Sequence, residues 1–425
     1  LLPLGALAIS QPYDVRKIIQ ALRQPHDDLT ILCAHRGLRW NGTAENSRDA
    51  YLRASEAGLE CIETDIALSA DGQLPMIHDG GLGRTTDIGA QTGQAAYKPF
   101  TGEGYDPRVV DFNFTGPGGI ENLHLRDEQG RVTNEFVPSL PQMIESIHDS
   151  GANVVLQLDF KEIAAVEPVY WALKNLTNKA GVPANEWCIH KLQSTWYPSP
   201  EDFEALPWVQ DAFASGIQLA SIPVYQINYE KDLDQLASMR KFAATNYTIS
   251  AQIGMRSTGD QLQNMLDETK STHSSIRTSG TFFAPGDFTY PNTGSATSFN
   301  TANYSLPADL HVHNSVYIFR DSKAPVLLDS LINSKSAEKH NYRTDFNWIV
   351  EQGFNWVITD TADLWHKRLQ RQGKRNLSHM IADGQEVVEG AAKFWYPRRH
   401  ARDFGGVQAR QGFLAFLCFL FFSKQ

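Results

Sequence analysis

Cys33-Ala34-His35-Arg36-Gly37 and Cys61-Ile62-Glu63-Thr64-Asp65, followed by Met76-Ile77-His78-Asp79, decide how this chain is read. Each closes an apolar run (Leu29 to Cys33, Leu59 to Ile62, Leu74 to Ile77) with histidine, arginine or carboxylate. Buried strands that run out into chemically versatile groups point to a parallel sheet or barrel with its site at the strand ends. Alternation along a strand sends Glu63 and Asp65 to one face and Thr64 to the other. Unpaired like charges on one face are costly, and a bound cation relieves that cost; helix caps or a surface ion pair would also account for two acids.

Further strand candidates recur with helical patterns between them. Thr30 to Ala34, Cys61 to Ile66, Asn153 to Phe160, Trp187 to His190, Ile217 to Val224, Thr248 to Ile253, Val316 to Phe319 and Asn355 to Ile358 make eight. Eight strands in βα alternation predict an α/β fold, a (β/α)8 TIM barrel with insertions in the βα loops. Val15, Ile18, Ile19 and Leu22 share one face of a helix over Tyr13 to Leu22, placed to close the barrel bottom. Glu45 to Ala57 and Leu140 to Ile147 read as barrel helices. The stretches 80–138, rich in Gly, Pro and Asp, and 271–306, dominated by Ser, Thr, Asn and Gly, read as insertions. The expected organisation is an amino-terminal segment (1–30), a barrel (31–365) and a carboxyl-terminal extension (366–425).

The chain has 425 residues, 42% hydrophobic and 20% charged, which suits a globular protein with a sizeable core. Its net charge of −10 argues against a nucleic-acid partner, because phosphate backbones reward broad basic surfaces. A small anionic substrate remains compatible if local cations and a metal reverse the field. Cys33, Cys61, Cys188 and Cys418 form no CxxC pair, so neither a zinc ribbon nor a dense disulfide framework is expected. Cys33 and Cys61 lie two residues before His35 and Glu63, and two small buried thiols are favoured there over a disulfide. His311 and His313 alternate as strand residues do, without a third zinc ligand at suitable spacing. Trp356 and Trp365 read as packing, with a choline-holding aromatic rim as the alternative.

Leu1 to Ala8 is similar to the end of a secretory signal, and the Asn-x-Ser/Thr triplets at Asn41, Asn113, Asn175, Asn246, Asn303 and Asn376 fit a secreted or cell-surface protein. The apolar stretch Gly412 to Phe422 is shorter than the roughly 20 residues a bilayer span requires. Membrane-surface contact through it is one of several readings, beside a docked helix.

At His35-Arg36-Gly37, Glu45-Asn46-Ser47, Glu63-Thr64-Asp65, Asp71-Gly72, His78-Asp79 and Leu82-Gly83-Arg84-Thr85-Thr86 the chain resembles the glycerophosphodiester phosphodiesterase family in order and spacing. Val137-Pro138-Ser139-Leu140, Leu158-Asp159-Phe160-Lys161 and the stretch from Gly353 to Leu364 extend the likeness. It is dense from Ile31 to Lys161 and thin between Trp187 and Leu310. The resemblance implies a metal-dependent hydrolase that cleaves glycerophosphodiesters to sn-glycerol 3-phosphate and an alcohol. It implies Glu63, Asp65 and Asp159 as ligands of Mg²⁺ or Ca²⁺, hard ions suited to oxygen donors, with the departure that the family usually carries Glu where this chain has Asp159. His35 and His78 are implied as the acid/base pair, since imidazole exchanges protons near neutral pH. Arg36 and Lys161 are implied as phosphate partners, with Glu45, Asn46 and Asp79 in support. Other readings of the same barrel are a phospholipase D-like activity on lysophospholipids and a non-catalytic binding protein.

Overall fold

The computed structural model describes residues 11–24, 26–39, 42–98, 102–127, 130–226, 233–254, 279–284, 356–359 and 362–388. Its strands are β1 (Ile31–His35), β2 (Cys61–Ile66), β3 (His124–Arg126), β4 (Val132–Phe136), β5 (Val155–Phe160), β6 (Cys188–Gln193), β7 (Ser221–Gln226), β8 (Gln252–Gly254), β9 (Ser279–Ala284) and β10 (Trp356–Thr359). Eight of them close a barrel in the order β1-β10-β9-β8-β7-β6-β5-β2, every neighbouring pair parallel. Every residue of β1 and β2 is buried, polar ones included, as in strands covered by helices outside and packed side chains within.

Seven barrel strands fall where hydrophobic patterning predicts them. The seventh strand in chain order does not. It is Ser279–Ala284, inside the stretch 271–306 read as an insertion, whereas Val316 to Phe319 and the His311/His313 pair lie outside the described residues. Ser-Gly-Thr-Phe-Phe-Ala lacks a bounded aliphatic run, and its Ser/Gly-rich surroundings mask the pattern.

Local capping settles where helices begin. The helix Arg48–Glu56 starts after Ser47, whose Oγ accepts from the Ala50 amide at 3.1 Å, and not at Glu45 as its charged turn suggests. Glu45 and Asn46 are thereby left at the strand-end rim. The helix Leu140–Ser150 has a capping box between Ser139 and Gln142 and ends at Gly151 in the left-handed region.

The stretch 80–138 is a small folded insertion. It carries short helical turns and the antiparallel β3–β4 hairpin, and its Leu82, Val109, Phe114, Ile120 and Leu125 form a second apolar cluster together with Ala44, Ala67 and Ile77. The helix Val15–Arg23 lies at the opposite end of the barrel. There the Tyr13 hydroxyl donates to the Gly58 carbonyl at 2.7 Å, and the Asp14 amide bonds the Met380 carbonyl. Arg375 is buried at this floor, its guanidinium reaching both Glu60 oxygens and the Thr30 carbonyl.

A disulfide joins Cys33 to Cys61, correcting the expectation of two free thiols. The reason is register: Cys33 pairs with Cys61 across β1 and β2 two residues before His35 pairs with Glu63, so both thiols share one layer of the barrel. Cys188 is free and buried. Among the described residues no helix is long and apolar enough to cross a membrane. The tail 412–422 lies outside them.

Candidate active site

The chain turns sharply where β1 ends. Arg36 and Gly37 take positive φ of 58° and 84°, and a Cβ on Gly37 would come within 2.8 Å of the Ala50 carbonyl carbon. Only glycine fits so near the helix that follows. The left-handed conformation of Arg36, unusual for a residue with a side chain, turns its guanidinium back over the strand ends; such backbone costs on the order of 1–3 kcal/mol and persists where its surroundings hold it. Here the Arg36 Nε lies 2.9 Å from Asp65 and its Nη1 lies 3.2 Å from Glu45.

Register aligns the acids. His35 pairs with Glu63 across β1 and β2, and Asp65 pairs with Asp159 across β2 and β5. With side chains two apart on one face, Glu63, Asp65 and Asp159 converge inward, and one oxygen from each lies within 4.8 Å of the others. The three acids named from the sequence are thus brought together, the shorter Asp159 included. Glu63 Oε2 is buried and accepts no hydrogen bond; His35 Nε2 stands 3.7 Å away. Three converging carboxylates with a buried lone pair left over fit a hard cation.

Cations interleave with these acids. Lys161 Nζ lies 2.6 Å from Asp65 and also bonds Asp159. Burial pushes the Asp65 carboxyl up, but Lys161 and Arg36 overcome it and hold that group well below the usual range. Asp159 is lowered in the same way to about 2, Lys161 and Lys191 outweighing its burial. Burial alone would lower Lys161, yet Asp159 and Asp65 raise it above the ordinary lysine value. Asn46, also at positive φ (54°), donates to Asp65 at 2.9 Å and accepts from the Tyr51 and Thr64 hydroxyls. It orients the Asp65 carboxylate and is no helix cap.

His78 Nδ1 meets Asp79 Oδ1 at 2.7 Å. Burial first, then the charges of Arg36 and Lys161, lower the His78 imidazole to about 4, so it is uncharged at neutral pH. Glu45 accepts from Arg36, Arg39 and Arg84, and Arg84 ties it to Asp79. Through Arg84 this network joins Glu45 to Asp79 and so to His78. Trp356 and Trp365 are buried, so they pack and do not form a rim.

Sequence reasoning missed Lys191 on β6, whose ammonium lies 3.2 Å from Glu63. It falls where the motif likeness thins, and only its position in a strand with inward alternation could have marked it. Arg84 was visible within the motif Leu82 to Thr86 but without a role, and Arg39 carried no signal.

A closed parallel barrel that gathers three acids, two imidazoles and several cations at its strand ends belongs to the class of (β/α)8-barrel proteins with a charged, cation-ready mouth. Within that class, residues 35–199 match the Glycerophosphoryl diester phosphodiesterase family, which bears out the resemblance carried by the motifs. A Glycerophosphodiester phosphodiesterase of Caldanaerobacter subterraneus is 42% identical over 130 residues, 30% of this chain and 45% of the relative. A Glycerophosphodiester phosphodiesterase of Bacillus altitudinis is 42% identical over 60 residues, 14% of this chain and 24% of the relative. The matched parts therefore span less than half of these relatives' length. The fold is also that of a solved Glycerophosphoryl diester phosphodiesterase from Parabacteroides distasonis, with a TM-score of 0.50 at 13% identity over 85% of this chain and 94% of the other.

Proposed function

We propose that the protein hydrolyses glycerophosphodiesters, such as glycerophosphocholine-type molecules, to sn-glycerol 3-phosphate and an alcohol in a metal-dependent reaction. The observation that carries this reading is the convergence of Glu63, Asp65 and Asp159 within 4.8 Å, with His35 beside Glu63 and Lys161 across Asp65 and Asp159. The three acids would hold Mg²⁺ or Ca²⁺, which when bound supplies Lewis-acid shielding of the phosphate charge. Arg36 and Lys161 add fixed positive charge where the pentacoordinate phosphorus gathers negative charge. His35 and His78 serve as the acid/base pair, one taking the proton of the attacking hydroxyl and the other protonating the departing alkoxide. Asp79 keeps the proton of His78 on Nδ1, which leaves Nε2 to accept one. In this reading a free glycerol hydroxyl attacks the phosphorus first, the P–O bond to the headgroup breaks as its alcohol leaves protonated, and water then opens the cyclic phosphate to sn-glycerol 3-phosphate.

The test is turnover of glycerophosphocholine by the full chain, with sn-glycerol 3-phosphate as the measured product. EDTA and His35→Ala should each abolish it, and Mg²⁺ or Ca²⁺ should restore the chelated sample. Activity indifferent to both treatments would overturn the assignment of the site. Equal rates with a 2-deoxy analogue would exclude internal attack, and preferred release of the headgroup from micellar lysophospholipid would favour the phospholipase D-like reading.

An oxidising, extracytoplasmic setting is part of the same proposal. It is supported by the Cys33–Cys61 disulfide and by exposure of the sequon residues Asn113, Asn175, Asn246 and Asn376. Loss of mass on enzymatic deglycosylation of the protein from its native source tests it; an unchanged mass would remove the glycoprotein reading.

A further inference from the structure

Lys191 sits on β6 beside Asp159, one step beyond the register pair Leu158–His190, and is buried. A buried ammonium is tolerated only where anions face it. The anions that face Lys191 are two of the three candidate ion ligands: Glu63 Oε1 at 3.2 Å and Asp159 Oδ1 at 3.6 Å. Lys161 holds the other side of Asp159 and reaches Asp65, while Arg36 reaches Asp65 from β1. Three acids and three bases thus alternate at the mouth of the barrel, and Lys191 and Lys161 share Asp159.

We propose that Lys191 is a positioning cation with two partners in turn: it competes with the divalent ion for Glu63 and Asp159, and it turns to the phosphate once the ion has taken them. A buried ammonium must keep an anionic partner, and Lys191 and Glu63 are both almost wholly buried. An ion seated among Glu63, Asp65 and Asp159 draws on the same lone pairs that neutralise the ammonium, and Lys191 cannot leave for water from its buried position on a barrel strand. The anion that then meets its charge is the one the pocket admits, a phosphate oxygen. The ion half of this inference rests on the carboxylate geometry alone; the phosphate half rests on the proposed hydrolysis of phosphodiesters.

The experiment measures Mn²⁺ binding by electron paramagnetic resonance, and inorganic phosphate binding to the Mn²⁺-loaded protein by calorimetry. It compares the full chain with Lys191→Met, Lys191→Gln and Lys191→Arg. A neighbouring charge shifts a site's preference for cations by a factor of ten or more, so Lys191→Met and Lys191→Gln are expected to bind Mn²⁺ about tenfold tighter and phosphate about tenfold more weakly. Lys191→Arg should return both constants toward the parent values. Structural damage would loosen the ion, opposite to the expected direction, so unchanged or weaker Mn²⁺ binding in folded Met and Gln variants overturns the proposal. Tighter Mn²⁺ with unaltered phosphate binding overturns the phosphate half and leaves the competitor. Absence of glycerophosphodiester turnover in the parent would refute the reaction without touching the Mn²⁺ result.

Discussion

His78 presents Nδ1 to Asp79 at 2.7 Å, and Asp79 is itself clamped by Arg84, which also holds Glu45. Burial raises the Asp79 carboxyl, but Arg84 and then His78 hold it far below the ordinary range, so it stays charged and fixes one tautomer of its neighbour. Asp79→Asn is therefore expected to lower kcat by about tenfold or more with little change in KM, while His78→Ala removes about a hundredfold or more. Steady-state kinetics on glycerophosphocholine check both. A pure KM effect in Asp79→Asn would show that the carboxylate binds substrate and does not orient the imidazole.

The Cys33–Cys61 link spans 28 residues between neighbouring strands directly beneath His35 and Glu63. Closing a loop of that length removes unfolded-state entropy equivalent to about 3 to 4 kcal/mol. The double substitution Cys33→Ala/Cys61→Ala should lower folding stability by that order in urea unfolding. A reductant should destabilise the parent and leave the double variant unaffected, and equal sensitivity of the two would contradict the bond.

Burial lowers the His190 imidazole to about 4, among Phe160 and Trp208, with no partner for its Nε2. The unfolded chain protonates this group near its ordinary value, the folded chain only about two and a half units lower. Between those pH values the unfolded state binds one more proton, so stability falls on acidification by about 1.4 kcal/mol per pH unit and levels off near pH 4. Unfolding midpoints between pH 7 and 5 should show a shallower acid loss in His190→Gln than in the parent. His366, lowered to about 3 by burial and Arg375, continues the same trend.

Arg375 and Glu60 pair bidentately at the floor of the barrel, fully buried and 315 residues apart. Burial opposes the Arg375 charge, but Glu60 more than restores it. Removing one partner strands the other in a dry interior, so Arg375→Met should cost about 3 to 5 kcal/mol. Arg375→Met/Glu60→Gln should recover part of that loss, as read by thermal unfolding. Additive losses would mean that the two residues act separately.

Much of the site was legible along the chain because its parts are local. His35, Glu63, Asp65, Asp159 and Lys161 lie in or just after strands, where period-two alternation dictates which side they face, and Arg36 follows directly on the first of them. Apolar runs and their spacing likewise determined seven barrel strands and the floor helix. Tertiary structure alone decided what depends on distant partners: that Cys33 meets Cys61, that Ser279–Ala284 fills the seventh place in the barrel, that Glu45 is shared by three arginines, and that Lys191 reaches Glu63. Periodicity records which face of an element is buried. Register and barrel closure choose the atoms that meet there, and both are properties of the whole sheet, not of any stretch of sequence.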